Sequence, residues 1–413
     1  MNDDLEVYGK LNGTEKPLVV SALLLKMQEE GFNVARLEGK SSPTDGEIVC
    51  EGLNYPKLEF IKTHRILNAT NPSLGHTPLR HFAELLMKSE TFDLISEVYG
   101  GKYSYSGNDG HDLGIVLTPT HIVELCCELL NLKAGERVLE PCCGTGRFLV
   151  NAMKYVGDNV TGVELQEDLY TMSSINVKVS GGATSQVVHG DFFREDLRVY
   201  TAGFMNPPYS QEVSELEFTE RLLDVLDVGG RAAVLVPVSV MIGKTKKERK
   251  LKGELLTCHT LEGVISLNRN TFYGVGTVPC IALFRAGIPH SPDKQAKFVN
   301  FEDYGWEVKM HTGLVETERA KDRRQYLLDC WEGLREDYHT EFMVKSQVEA
   351  GDEWLHSFYY YNDEPPKEED FSASLADYLT FEFEMIAHGR GYLFAERQKS
   401  TPKSVQCEIA FEE

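Results

Sequence analysis

The run Asn206-Pro207-Pro208-Tyr209 carries the most specific chemistry in the chain. An exocyclic amine on an aromatic ring is a poor nucleophile, because its lone pair is delocalised into the ring. If the Asn206 side-chain oxygen and the Pro207 carbonyl accept its two N–H bonds, the nitrogen is drawn towards a tetrahedral form. Its lone pair can then attack an electrophilic methyl group. Two successive prolines hold the loop in one shape, so the acceptors stand in place before substrate arrives. Tyr209 offers a ring for stacking, which matters because a base inside duplex DNA is inaccessible until it is flipped out. Alone, a Pro-Pro pair after a strand is an ordinary turn; the residues that precede it give it meaning.

The segment from Val138 to Leu149, with Glu140-Pro141-Cys142-Cys143-Gly144-Thr145-Gly146-Arg147 at its centre, reads as a strand, a glycine-containing turn and a helix. Gly144 and Gly146, lacking Cβ, allow a turn that a bulky ligand can approach closely at the helix N-terminus. Eighteen residues past Gly146, Glu164 ends the next strand, where an acid can accept hydrogen bonds from both ribose hydroxyls. That pattern also suits a nicotinamide dinucleotide, but the third glycine of the dinucleotide fingerprint is missing. Farther on, Gly190-Asp191-Phe192-Phe193 offers a carboxylate for an adenine amine and an aromatic ring against the base. By itself it is equally an ordinary strand-end turn. Acceptors at the carboxyl ends of successive strands converge on the crevice where open α/β sheets bind ligands.

The elements that must position these residues alternate short β-type runs with helical stretches, the pattern of an α/β sheet with helical crossovers. Seven strands are predicted, at 137–139, 160–163, 186–189, 203–205, 232–236, 263–265 and 281–284. Before them, Val19 to Glu29 and Leu79 to Met87 have the apolar spacing of amphipathic helices, and a Gly- and Tyr-rich loop runs from Tyr99 to Gly110. The expected organisation is a mainly helical domain over 1–115, a catalytic domain over 116–290, and an acidic extension of mixed strand and helix over 291–413. In the extension, Lys297 to Phe301 suggests one more strand, Tyr326 to Arg335 a helix, and Pro365-Pro366 a solvated linker.

With 413 residues the chain has room for two or three domains and needs no covalent staples. Its nine cysteines form no Cys-x-x-Cys arrangement and its twelve histidines show no ligand spacing, so no metal is expected, and a reduced, cytoplasmic setting fits. No apolar run approaches membrane-spanning length. The formal net charge of -22 argues against a simple nucleic-acid sleeve. Acid concentrates at the end: Thr340 to Glu413 holds 16 acidic against 6 basic residues. Positive charge concentrates at Lys244 to Lys252 and Arg319 to Arg324, the candidate phosphate contacts, with Lys246, Lys247, Arg249 and Lys250 foremost. A solvated helix face would look the same. Phe358-Tyr359-Tyr360-Tyr361 reads as a packed surface element rather than a base-stacking platform.

Over roughly residues 70 to 310, the chain resembles the adenine-specific DNA methyltransferases whose cofactor motifs precede the catalytic loop, and most closely the modification subunits of type I restriction systems. The resemblance implies a class I S-adenosylmethionine-dependent methyltransferase fold, Rossmann-like with a seven-stranded mixed sheet, flanked by an N-terminal helical domain and a C-terminal extension. It assigns Thr118 and Pro119, at the end of Gly114-Ile115-Val116-Leu117-Thr118-Pro119, to closing over the methionine part of S-adenosylmethionine. Glu140, Gly144 and Gly146 match the methionine-binding loop, Glu164 the ribose acid, Asp191 and Phe192 the adenine contacts, and Asn206, Pro207, Pro208 and Tyr209 the catalytic loop, with Asn206 also beside the cofactor. In the late motif Leu267 to Pro279, Phe272 is the candidate for facing the flipped base opposite Tyr209, with Tyr273 its rival and a core role the bland alternative.

The implied partners are double-stranded DNA, a separate specificity subunit and, in a full system, a restriction subunit. Nothing after Arg285 looks like a target-recognition domain, which motivates the separate specificity subunit. Two other readings stay open. Asn-Pro-Pro-Tyr also serves amide nitrogens, as in glutamine methyltransferases, against which Glu140-Pro141 and the basic run from Lys244 count. A non-catalytic DNA-binding scaffold is the other, and the intact motifs count against it.

Overall fold

The structure is a computed structural model that describes residues 1–89, 93–100, 117–183, 186–197, 199–209, 212–272, 276–309, 313–335, 339–361, 367–387 and 390. Gly114 to Val116, Tyr273, Pro365-Pro366 and all but the start of the Tyr99–Gly110 loop lie outside the described residues. The chain divides into two units, Met1–Tyr360 and Tyr361–Glu413.

The first unit is built on one sheet. Its strands are β1 (Val138–Pro141), β2 (Val160–Glu164), β3 (Val187–His189), β4 (Tyr200–Met205), β5 (Leu226–Pro237), β6 (Thr260–Leu267), β7 (Pro279–Arg285), β8 (Ala296–Phe301) and β11 (Met343–Ser346), in the spatial order β11-β8-β6-β7-β5-β4-β1-β2-β3. A separate antiparallel hairpin pairs β9 (Trp306–Lys309) with β10 (Gly313–Glu316). All seven strands expected from the sequence are present, but the sheet has nine. Strand β8 runs parallel to β6, and β11 closes the edge antiparallel to β8. The added strands follow from burial: Phe298, Val299 and Phe301 of β8 are buried, and Met343 and Val344 of β11 are buried too. The sheet therefore continues past residue 290, where the sequence suggested that a separate extension begins.

Strand β1 pairs in parallel with both β2 and β4. The order of the strands thus reverses between β1 and β4, and their connections leave towards opposite faces, opening a crevice beyond Pro141 and Met205. Long apolar side chains hold this centre together. Phe148, on the helix Arg147–Val156, stacks on Phe204 of β4 with ring centroids 4.3 Å apart. Burying one such side chain contributes about 1.5–3 kcal/mol.

The described residues before β1 form helices and no strand. The expected amphipathic helices appear at Glu15–Met27 and Pro78–Leu86, the second capped by Thr77, whose hydroxyl accepts from Arg80 N. Their core does not close on itself. It includes Leu169, Met172 and Ile175 of the helix Glu167–Val179, so the N-terminal helices share an apolar interior with a helix of the sheet domain. The helix expected near 326–335 spans Ala320–Glu332. In the second unit, the described helix is Glu368–Ala387.

Candidate active site

The turn after β1 makes the cradle. Cys142, Gly144 and Gly146 all have positive φ, at 62°, 56° and 78°. For Cys142 that conformation costs about 1–2 kcal/mol, which the surrounding structure must offset. The two glycines have different roles. A Cβ on Gly144 would meet nothing within 4 Å, and Gly144 lines the cavity. A Cβ on Gly146 would come within 3.1 Å of Ser173 Cβ, and Gly146 is absent from the cavity wall. Of the two, Gly144 alone stands beside open space in the cavity; Gly146 lets the helix Glu167–Val179 pack against the turn.

Glu140 and Glu164 end β1 and β2 beside this turn, and both line the cavity. Glu164 braces the cradle: Gly144 N donates to Oε2 and Gln166 N to Oε1, each at 2.8 Å. Glu140 accepts from Leu149 N at 3.2 Å. Burial pushes the Glu140 carboxyl well above the usual range, and pushes Glu164 up despite its backbone donors. Next to them, after β3, Asp191 accepts from Phe193 N at 3.0 Å and pairs with Arg194 at 3.2 Å. Phe192 is buried against Phe218, a second aromatic of the cavity that the sequence did not single out.

On the other side of the crevice, Asn206 follows the last residue of β4. Its Nδ2 donates to Thr118 Oγ1 at 3.0 Å. Pro207, Pro208 and Tyr209 continue the wall. Tyr209 donates from its hydroxyl to the Leu235 carbonyl at 3.3 Å, and burial holds its phenol well above the usual value. Thr118 lines the cavity, whereas Pro119 caps the helix Thr120–Leu129 outside it. Phe272 is 2% exposed, packs edge-on against Tyr209 with centroids 6.3 Å apart, and does not line the cavity. The structure brings together Thr118, Glu140, Gly144, Glu164, Asp191, Phe192 and Asn206 to Tyr209. It also adds Arg147, which the sequence showed only as the residue after the glycine turn.

These residues fit an adenosine with a methionine tail. Glu164 and Asp191 supply acceptors at neighbouring strand ends, the Phe192 and Phe218 rings supply an apolar slot, and Gly144 leaves room where a Cβ would stand. Among the described residues, no group of three or more His, Cys, Asp or Glu could hold a metal ion.

The basic candidates lie elsewhere. Lys246, Lys247, Arg249 and Lys250 occupy the first turns of the helix Lys246–Cys258 and are on its surface. Lys247 pairs with Glu217, Lys250 with Glu254, and Arg249 Nε donates to the Gly243 carbonyl. Lys252, in the same run, is buried and donates to the Met241 and Asp352 carbonyls, so it serves the interior. The Arg319 to Arg324 stretch is also committed internally: Arg324 bonds Glu124 and Glu128, and Arg319 and Arg323 bond Asp303.

The pattern of the N-6 DNA methylases matches residues 90–369. The chain belongs to the N-6 DNA methylase family. Among its relatives, the type II restriction enzyme and methyltransferase RM.BcgI of Heyndrickxia coagulans is 40% identical over 447 residues, covering 95% of this chain and 70% of that protein. The MjaVII type I methylase subunit of Methanocaldococcus jannaschii is 22% identical over 283 residues, covering 59% of this chain and 48% of the relative. The chain therefore spans 70% of the first relative and about half of the second. Among solved structures, a chain of a type I restriction-modification system superposes with a TM-score of 0.61 at 17% identity, covering 97% of both chains. The fold is that of the class I methyltransferases. As an N-6 DNA methylase of the restriction-modification kind, the protein transfers methyl groups from S-adenosylmethionine to the N6 amine of adenine in DNA.

Proposed function

We propose that one cavity serves both reactants. Glu164 receives the ribose hydroxyls, Asp191 and Phe192 the adenine of the cofactor, and the turn at Gly144 and the Thr118 segment its methionine tail. S-adenosylmethionine supplies the methyl group on a sulfonium centre. Asn206 Oδ1 and the Pro207 carbonyl accept from the target amine, so that its lone pair turns towards the methyl, and Tyr209 stacks on the flipped base. Phe272 supports Tyr209 from behind. The observation that carries this reading is that Glu164, Asp191 and Asn206 open onto a single cavity. Binding of S-adenosylhomocysteine by the purified chain tests it directly: affinity lost in Glu164→Ala and kept in Asn206→Ala supports the division of roles, and the reverse overturns it.

The same reading assigns DNA site selection to a separate specificity subunit. Helix Glu368–Ala387 supports it: Phe371, Leu375, Leu379, Phe383 and Ile386 recur at helical spacing and are 53–72% exposed, a row suited to burial against another protein. Purified alone, the chain should bind cofactor but methylate DNA poorly. Efficient, sequence-specific methylation by the isolated protein would sink the partner claim. Among the described residues no helix is long and apolar enough to cross a membrane, and a DNA substrate supports a cytoplasmic setting for the reaction.

A further inference from the structure

A set of buried polar contacts runs from the N-terminal helices to the catalytic amide. Asp93, 4% exposed, stands just before the helix Leu94–Gly100. Its Oδ1 accepts from Asn176 Nδ2 at 2.8 Å and from Ser96 N at 3.2 Å, and its Oδ2 accepts from Arg147 Nε at 2.9 Å. Two more bonds bind this cluster to the cofactor turn: Asn176 Nδ2 donates to the Thr145 carbonyl at 3.1 Å, and the Ser96 and Thr145 hydroxyls lie 2.6 Å apart. The guanidinium held in this way reaches forward, and Arg147 Nη1 donates to the Thr118 carbonyl at 2.9 Å. Thr118 then accepts from Asn206 through its hydroxyl.

We propose that Asp93 and Arg147 are positioning residues for methyl transfer: the carboxylate holds the guanidinium, the guanidinium holds the Thr118 segment, and Thr118 holds the Asn206 amide in the orientation that presents its oxygen to the target amine. This rests on the role given to Asn206 above. An amide side chain has an accepting end and a donating end, and a half-turn exchanges them. Only the oxygen can draw on an N–H bond. Anchoring Nδ2 on Thr118 fixes the place of the amide before substrate arrives, with its oxygen at the opposite end. Thr118 lies ahead of the helix Thr120–Leu129 rather than inside it, so its place depends on contacts from outside the segment, and Arg147 supplies one. Each link is a direct hydrogen bond, so the coupling has a physical path.

The first test needs no reaction. In the cofactor-free protein, Asp93→Asn should speed hydrogen exchange of the amides over 117–123 while leaving the core strands β4 and β5 protected. Unchanged exchange at 117–123 would overturn the proposal. With DNA, the specificity partner and cofactor present, Asp93→Asn should lower kcat by about tenfold or more through misplacement of the acceptor. KM for DNA should stay within about threefold in the same variant, whereas the affinity for S-adenosylhomocysteine should weaken a few-fold, because the Thr118 segment also faces the methionine tail. A merely structural role predicts the opposite: fewer cofactor-binding sites, each with normal kcat. Thr118→Val supplies a cycle, because two residues acting through one amide must be non-additive. Asp93→Asn in the Thr118→Val background should lower kcat no further, and effects that multiply would overturn the shared path. If Asp93→Asn alone fails to fold, the pair Asp93→Asn with Arg147→Met removes both charges together, which costs far less than orphaning one, and the same exchange and kcat criteria apply. A protein that shows the exchange change but in which Asn206→Ala methylates normally would separate the two ideas: the coupling stands and the role of Asn206 falls.

Discussion

The cavity at the carboxyl edge of the sheet and the helix Glu368–Ala387 treat their side chains in opposite ways. Around the cavity, even ionisable groups such as Glu140, Glu164 and Asp93 are buried and hydrogen-bonded, and the apolar side chains of β1 and β4 are inside. On the helix, the large apolar side chains Phe371, Leu375, Leu379 and Phe383 are exposed. The first region is complete in itself: its acceptors are braced by its own backbone, as when Gly144 and Gln166 hold Glu164. Among the described residues the second presents an apolar row that nothing covers, the kind of surface that the proposed specificity subunit would bury. Chemistry built in, with recognition supplied by the proposed specificity subunit, is the division that this contrast supports.

The strongest challenge to the first half of that contrast is Asn206→Ala. It should lower kcat for methylation by about 10²–10³-fold, the usual cost of removing one preorganised hydrogen-bonding group from a transition state, with S-adenosylhomocysteine affinity within a few-fold of the parent. Undiminished methylation would leave the cavity a binding site without the reaction. For the second half, replacing Leu375, Leu379 and Phe383 together by Glu should weaken assembly with the specificity subunit by at least tenfold, about 1.4 kcal/mol, while cofactor binding is untouched. Sedimentation of the mixed subunits checks it, and intact assembly would mean that the helix faces something else.

The basic helix Lys246–Cys258 lies between these extremes. Charge reversal of Lys246, Lys247 and Lys250 should weaken DNA binding a few-fold at low salt and reduce the salt slope by about 0.9 for each phosphate that is no longer neutralised. Because Lys247 and Lys250 already pair with Glu217 and Glu254, Lys246 should contribute most, and an unchanged slope would leave this a solvated surface helix. The smallest effect belongs to Glu140. Burial raises its carboxyl well above the ordinary range in the folded chain, so its neutral form is the one the fold favours. Its contribution is fully present below the unfolded pKa and is lost as pH rises through the folded value. The share of stability that Glu140 contributes should thus decline as pH rises above the unfolded carboxyl value, and Glu140→Gln should remove that share from the pH slope in thermal unfolding at stepped pH. An unchanged slope would show that Glu140 is charged in the fold.

Much of the site was legible because its parts are short local patterns. A strand end, a glycine turn and an acid after the next strand follow one another within the span from Glu140 to Glu164, and the proposed catalytic loop is four adjacent residues. What was not legible depends on residues far apart in the chain. Gly146 looked like a second point of ligand approach, but its neighbour is Ser173 on another helix. Arg324 looked like part of a basic patch, but Glu124 and Glu128, about two hundred residues earlier, take its donors. Lys252 shared a basic run with exposed neighbours and yet points inward. Strand β11 has only four residues, too few to show a period, and it exists because β8 needs a neighbour to pair with.

By itself, the sequence determined which groups stand at the strand ends and in what order they follow one another, because strand-end position and loop rigidity are properties of contiguous residues. Only the tertiary structure decided how those groups are held. Asp93 meets Arg147 across 54 residues and Thr118 meets Asn206 across 88, and such contacts are set by how the helices pack on the sheet, which no local pattern encodes.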